Sequence, residues 1–461
     1  MSPIPASRRF TILLVVLTLS LVVRAAILVR ADQALLFEHD SASYINSARA
    51  LLETGTFSIA PNQLEPQTIR TPGYPLFLAM LFGLFGENWI AILFVQMCFS
   101  VATIGLVYGF GSKLWNPDLA LLASVLLALD LNSLGFSLLV LTEALFTFFL
   151  TAFVFVLAMV LQRGPLGERQ GWKSAMLAGL LLAVATHMRP ISYYLVIPVI
   201  VVWFVWGWIQ KWDRRVLVTN LLAFLIPFLI LVGGWQVRNY MQTGSSQFSA
   251  IESINMVNYR AAMVIAERDG ISRDEAVQQI KDQYGLTQQR GWNEAWRSAG
   301  VDVLLHNPDI FLKQYAVSLA NIFIGPGSEI AVRLSGVDVG ESGPLGDLRR
   351  LSPGEYVERW VVGDPLYFFT FIFSMMHMLL LYAGAAYWSV RTLFQRPWNV
   401  VSIFLFGMLA YLALVSAGPE AYYRFRVPMT PLLVLMTAGA WFDFMKRRRS
   451  VSKIATSRSN S

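Results

Sequence analysis

Runs of about 20 apolar residues recur along this chain, and a run of that length is what a helix needs to cross a bilayer. The runs are Phe10–Val29, Trp89–Gly111, Asp118–Leu134, Leu138–Leu161 and Trp172–Met188. They continue with Ile191–Trp208, Val216–Trp235, Pro365–Val390, Val400–Ala417 and Val427–Met445. Ten spans are therefore expected, in an all-α polytopic membrane protein. Composition agrees: 56% of the 461 residues are hydrophobic and only 14% charged, too apolar for a soluble chain of this size. The first run exceeds the apolar centre of a cleaved signal peptide, so it reads as an uncleaved anchor.

Charge placement orients the spans. With a cytoplasmic N-terminus, the inner loops hold Lys113, then Arg163, Arg169 and Lys173, then Lys211, Arg214 and Arg215, then Arg391 and Arg396. Lys446 to Arg449 follow the last span, so both termini are expected in the cytoplasm. This distribution accounts for the net charge of +7 without a nucleic-acid partner. Tyr74–Phe85 is too short to span and is expected to lie flat at the outer surface. The chain divides into an N-terminal transmembrane module, 1–235, whose first outer loop is 31–88, and an extracytoplasmic, mostly helical segment, 236–364. C-terminal spans (365–449) and a short polar tail read as disordered (450–461) complete it. Within the outer segment, Ser272 and Glu275 form a capping-box pattern opening a helix that runs to about Tyr284. Pro308–Phe323 is a second amphipathic helix, and the Gly-, Ser- and Pro-rich stretch Gly325–Gly354 reads as loop.

Chemistry gathers on the outer side. Asp40 opens an amphipathic helix that Gly55 stops, and a carboxylate there can act as base toward a hydroxyl. Arg70 precedes Thr71 and Pro72, an expected N-cap and first helical residue, and an arginine at a helix N-terminus suits phosphate. Other charges sit at outer span ends, where they are costly: His187 and Arg189, Arg424 and Arg426, Glu143, Asp130, and Arg24 inside the first span. Read singly, any of these arginines is equally a headgroup anchor. Tyr44, Tyr74 and Tyr423 could stack on a sugar or simply pack at the interface. GxxxxGK[ST] and HExxH are both absent, the four histidines have no metal-ligand spacing, and Cys98 is alone. No cofactor is expected, and a divalent metal stays open.

Several short motifs occur together in a definite order. They are His39-Asp40 with Tyr44, Arg70-Thr71-Pro72-Gly73-Tyr74-Pro75, Leu141-Thr142-Glu143-Ala144-Leu145-Phe146, Met188-Arg189-Pro190, Trp235 with Arg238-Asn239, and Arg424-Phe425-Arg426 before the last span. In order and placement the chain resembles GT-C glycosyltransferases of the bacterial family 39 type, related to protein O-mannosyltransferases and lipid A aminoarabinose transferases. That resemblance implies a multi-pass protein of the bacterial plasma membrane with an extracytoplasmic active site. It implies a polyprenyl-phosphate-linked sugar as donor, a protein, lipid or glycan as acceptor, and transfer with inversion. Asp40 would be the catalytic acid of the first loop and Arg70 would face the donor phosphate. The family often has an acidic pair in this loop, whereas here His39 precedes Asp40 and no acid follows, so Glu143 is the candidate for the second acid. Tyr74, His187, Arg189, Tyr423, Arg424 and Arg426 complete the expected donor site. The alternatives are a transporter or flippase of lipid-linked saccharides, and a polymerase or ligase of surface polysaccharide.

Overall fold

The computed structural model describes residues 4–163, 171–286, 294–337, 347, 350–394 and 399–459. Arg169 and Arg396, named above among the inner-loop cations, lie outside the described residues. The first half contains α1 (Ala6–Arg30), α2 (Ser41–Thr54), α3 (Gly73–Phe85), α4 (Trp89–Leu114), α5 (Pro117–Ala128), α6 (Leu131–Phe136), α7 (Glu143–Arg163) and α8 (Gly171–Met188). Next come α9 (Val196–Ile209), α10 (Arg214–Phe228), α11 (Gly234–Thr243), α12 (Ile251–Asn255), α13 (Ala262–Asp269), α14 (Arg273–Tyr284), α15 (Glu294–His306) and α16 (Pro308–Ile324). The last part holds α17 (Glu329–Leu334), α18 (Pro365–Phe394), α19 (Val400–Ser416) and α20 (Thr430–Ser459). Among the described residues the sheet is a single antiparallel hairpin in the first loop, β1 (Ser58–Ala60) with β2 (Gln63–Pro66).

Among the described residues, seven helical stretches are long and apolar enough to cross a membrane. The other three expected spans are shorter: α8 has 18 residues, α19 has 17 and α5 has 12. Burial ranks the spans by position. The last one is 78% buried and α7 67%, so they form the centre of the bundle, whereas α1, at 17%, faces lipid. Around that centre α8 packs between α7 and α10, and α4 packs between α5 and α7. Small residues permit the close crossings: a Cβ on Gly179 of α8 would lie 1.9 Å from the Phe224 carbonyl of α10.

Four expectations change on folding. The run Asp118–Leu134 is not one helix, because Asp130 accepts hydrogen bonds from the amide and hydroxyl of Ser133 and caps a new one, α6. Leu138–Thr142 is a buried turn, so α7 begins at Glu143. The stretch Gly325–Gly354 contains α17, whose Ile330 packs against Gly135 of α6; residues 338–346, 348 and 349 of it lie outside the described part. The backbone of α20 continues as helix to Ser459 where a disordered tail was expected, since a helix nucleated by a buried span propagates at little cost.

Between the spans, α12 to α16 enclose a second small core that includes Val257, Ile265, Ile280, Trp296 and Val303. Ser272 and Glu275 do form a capping box, and Gly285 ends α14 with φ at 61°. The polar end of α10–α11 continues through a π-helical turn at Leu229–Gly233, so residue 235 is not a break in the chain's helical path. The orientation expected from the basic loops is testable on exposed positions. In a Cys98→Ala background, cysteines at Gln210 and Leu393 should resist an impermeant thiol reagent applied to intact cells, and one at Gln279 should react. Labelling at 210 from outside would reverse the orientation. Neighbouring Trp212 and Ile280 are buried and would stay silent from either side.

Candidate functional site

Four separate parts of the chain meet at one end of the bundle, and backbone-level ties bring them there. The Val140 amide donates to the Leu36 carbonyl at 2.9 Å, and the Ser41 hydroxyl donates to the Val140 carbonyl at 2.9 Å. These bonds hold the start of α2 against the turn before α7, which places Asp40 near Glu143. Gly73 meets the end of α8: a Cβ there would lie 2.6 Å from the His187 carbonyl, so only glycine fits. Thr71 does not cap α3. Pro72 occupies the N-cap position in helical conformation, and the Thr71 hydroxyl donates instead to the Met188 carbonyl at 3.5 Å. Arg70 and Arg189 are thereby neighbours.

Other segments brace this loop. Arg238 donates to the carbonyls of Gln67 and Phe57, at 2.9 and 2.7 Å, with its guanidinium over the Trp235 ring. The Ser249 hydroxyl donates to the Ile69 carbonyl at 2.6 Å, and the Ala250 amide to Thr68 at 2.9 Å. Before the last span, Tyr423–Met429 form a 3₁₀ helix, and the Asn132 amide group holds the Tyr423 carbonyl at 3.0 Å. That turn delivers Arg424.

The result is a chain of alternating charges. Arg70 Nη2 donates to Asp40 Oδ1 at 2.6 Å, and Arg424 Nη1 to Asp40 Oδ2 at 2.8 Å. Arg424 Nε donates to Glu143 Oε1, and Arg189 Nη1 reaches the same oxygen at 2.6 Å. Three guanidinium groups thus face two carboxylates, leaving one positive charge in excess. Arg70 also donates to the Ser43 hydroxyl at 2.8 Å and lies over the Tyr44 ring at 4.8 Å. Burial alone would push the Asp40 carboxyl up, but Arg70 and Arg424 outweigh it and hold the group well below the usual carboxylate range. Burial works against the charge of Arg70 too, and Tyr44 and Asp40 more than offset it, so its pKa is raised.

Five of the nine residues expected at the site are in this array: Asp40, Arg70, Glu143, Arg189 and Arg424. Asp40 is partly exposed, whereas Glu143 is fully enclosed. The other four point elsewhere. Tyr74 is fully buried and donates to Gln96 Oε1 at 2.7 Å, with Gln96 in turn donating to the Ser137 and Leu139 carbonyls. His187 bonds the Ala183 carbonyl through Nδ1 and packs edge-on against Phe248. Tyr423 turns toward Glu329. Arg426 spends its guanidinium on the carbonyls of Ile322, Gly325 and Pro326 and on the Tyr382 hydroxyl, closing the end of α16. Arg24 finds no acid within salt-bridge distance among the described residues. It is buried between Ser137 and Ser20, beside a cavity of about 20 Å³, room for one water.

Sequence reasoning missed Tyr422, whose hydroxyl lies beside the Arg424 guanidinium. It also missed the pair Glu38–Arg333, at 2.5 Å, which closes the loop next to Asp40. Among the described residues no three His, Cys, Asp or Glu side chains converge on a metal-sized site.

The fold is similar to that of solved membrane oligosaccharyltransferase structures. Residues 69–233, which include Arg70, Glu143 and Arg189, match the family model of dolichyl-phosphate-mannose-protein mannosyltransferases. No curated protein sequence matches the chain. Among solved structures it is similar to the Archaeoglobus fulgidus oligosaccharyltransferase AglB in complex with an inhibitory peptide and a dolichol-phosphate: TM-score 0.54, 14% identity, covering 96% of this chain and 52% of that one. The apo form of that enzyme gives a TM-score of 0.52 at 13% identity, with the same coverage. ArnT from Cupriavidus metallidurans bound to undecaprenyl phosphate aligns over 93% of this chain and 77% of that one, at 12% identity and a TM-score of 0.40. The chain spans about half the length of the oligosaccharyltransferase chains it matches.

The enclosed carboxylate gives a stability prediction. Removing one partner of a buried pair strands the other charges and typically costs about 3–5 kcal/mol. Glu143→Ala should therefore lower the thermal unfolding temperature in detergent strongly. Glu143→Gln, which keeps a hydrogen-bond acceptor, should lower it less, and Glu87→Gln, in an exposed pair with Arg49, should leave it unchanged.

Proposed function

We propose that this protein is an integral-membrane glycosyltransferase that moves a sugar from a polyprenyl-phosphate donor to an acceptor hydroxyl on the extracytoplasmic side. One observation carries the reading: each oxygen of the Asp40 carboxylate is held by a different arginine, Arg70 or Arg424, in an array with one positive charge to spare. A phosphodiester donor carries one negative charge and fills that excess. The acceptor oxygen attacks the anomeric carbon from the face opposite the phosphate, and its proton passes to Asp40. The bond from the anomeric carbon to the phosphate oxygen breaks, and polyprenyl phosphate leaves as a dianion. With Asp40 then protonated, three arginines face Glu143 and that dianion, so the site stays neutral through the reaction. Planar guanidinium groups grip phosphate oxygens in two bonds, and Arg70 and Arg424, the two that hold Asp40, are the groups placed to turn to it.

The same geometry makes Asp40 a poor base until the donor arrives. While both its oxygens are bonded to arginines its proton affinity is low, and a phosphate that draws the arginines away raises it. Deprotonated Asp40 is the active form, so activity is lost as pH falls through its pKa. The acid limb of kcat, measured at saturating donor, should therefore lie at higher pH than the limb of kcat/KM, which reports the free enzyme. Coincident limbs argue against this role.

Asp40→Asn keeps the size and hydrogen bonding but cannot take the proton. In single-turnover transfer at saturating donor it should lose on the order of a hundredfold to ten-thousandfold in rate, with donor binding retained. Transfer within threefold of the native protein would make Asp40 a structural charge and reopen the transporter reading. Arg70→Ala and Arg424→Ala should weaken donor binding, and together by less than the sum of the two effects, because they share one ligand.

A further inference from the structure

A phosphate cradle does not by itself say where the sugar lies, but the donor's connectivity does. The anomeric carbon is one ester bond from phosphorus, so the ring must sit in contact with whatever borders Arg70 and Arg424 on the open side. Pyranose rings present an apolar face of C–H bonds, and an aromatic ring is the surface that suits it. Most aromatic rings around the array are already committed. Tyr44 is buried beneath Arg70, and Tyr74 is fully buried. Phe146 is enclosed under Arg189, and Tyr423 turns to Glu329.

Tyr422 differs. It is 38% exposed, and its hydroxyl lies beside Arg424. Its plane is fixed, because Tyr423 and Phe425 meet it edge-on, each at 86°, with ring centres 5.3 and 6.1 Å away. Phe425 in turn carries the Arg189 guanidinium at 5.3 Å. A rigid, exposed ring held beside Arg424 and, through Phe425, beside Arg189 loses little freedom when a ligand lands on it. We propose that Tyr422 is the contact surface for the sugar of the lipid-linked donor. This rests on the transferase reading above and adds the residue that recognises the transferred group.

The test compares a bare lipid phosphate with sugar-bearing ones on the purified full-length protein. Probes are undecaprenyl phosphate and its phosphodiesters with glucose, mannose and galactose, each measured for equilibrium binding. The native protein should bind at least one sugar-bearing lipid more tightly than the bare phosphate. Tyr422→Ala should weaken that lipid by about tenfold and leave undecaprenyl phosphate within twofold. Tyr422→Phe and Tyr422→Trp should keep most of the sugar preference. Tyr422→Leu, apolar but not aromatic, should behave like the alanine variant and serves if the latter does not fold. Equal weakening of both kinds of lipid would make Tyr422 a positioning residue for Arg424 and overturn the proposal, as would an unchanged sugar preference. Failure of the native protein to bind undecaprenyl phosphate at all would instead defeat the transferase reading on which the proposal stands.

Discussion

Everything at the site depends on one enclosed carboxylate. Glu143 has no exposed surface, and an isolated charge in that setting is costly unless paired. Its Oε1 draws Arg189 from the end of α8 and Arg424 from the start of the last span, 46 and 281 residues away in the chain. Arg424 has its Nε committed there, so its Nη1 is left facing Asp40, and Asp40 in turn fixes Arg70. A single buried charge therefore sets the directions of three cations and of the carboxylate between two of them. This is the use of buried ion pairs that fits best here: they specify an arrangement more than they add stability.

Much of this was legible in the sequence because charge at the edge of a membrane is costly and stands out. Glu143, Arg189 and Arg424 were visible for that reason, Asp40 and Arg70 as charges at expected helix starts, and the fold brings them together. What the pattern could not supply was direction. The 3₁₀ helix Tyr423–Met429 has three residues per turn, so Tyr423 and Arg426 share one face, Arg424 takes another, and Tyr422 falls in line with Phe425. A reading that knew only that these residues are adjacent grouped Tyr423 and Arg426 with Arg424 and passed over Tyr422. Hydropathy likewise marked Asp118–Leu134 as one span, yet Asp130 and Ser133 cut it, because a side chain that can cap a helix start overrides an apolar average.

Backbone contacts explain why the Arg-Thr-Pro-Gly motif reads as a unit. Arg70 supplies the charge and Gly73 lets the chain approach the end of α8, while Thr71 ties it to Met188. The segment after the seventh expected span reaches back through Arg238 and Ser249 to brace the same loop from the other side. A loop clamped by hydrogen bonds at Thr68, Ile69 and Thr71 holds its arginine in place before any ligand arrives.

The alternating charges also bear on how such a chain matures during synthesis. The first 190 residues carry Asp40 with Arg70 and Glu143 with Arg189, two matched pairs that are neutral together. Arg424 is made far later, at the start of the span Tyr423–Met445, and it supplies the unmatched positive charge. A nascent chain that has inserted only the segments up to Arg189 thus carries no excess charge at this spot. The excess positive charge appears only when the span that carries Arg424 docks on the earlier helices.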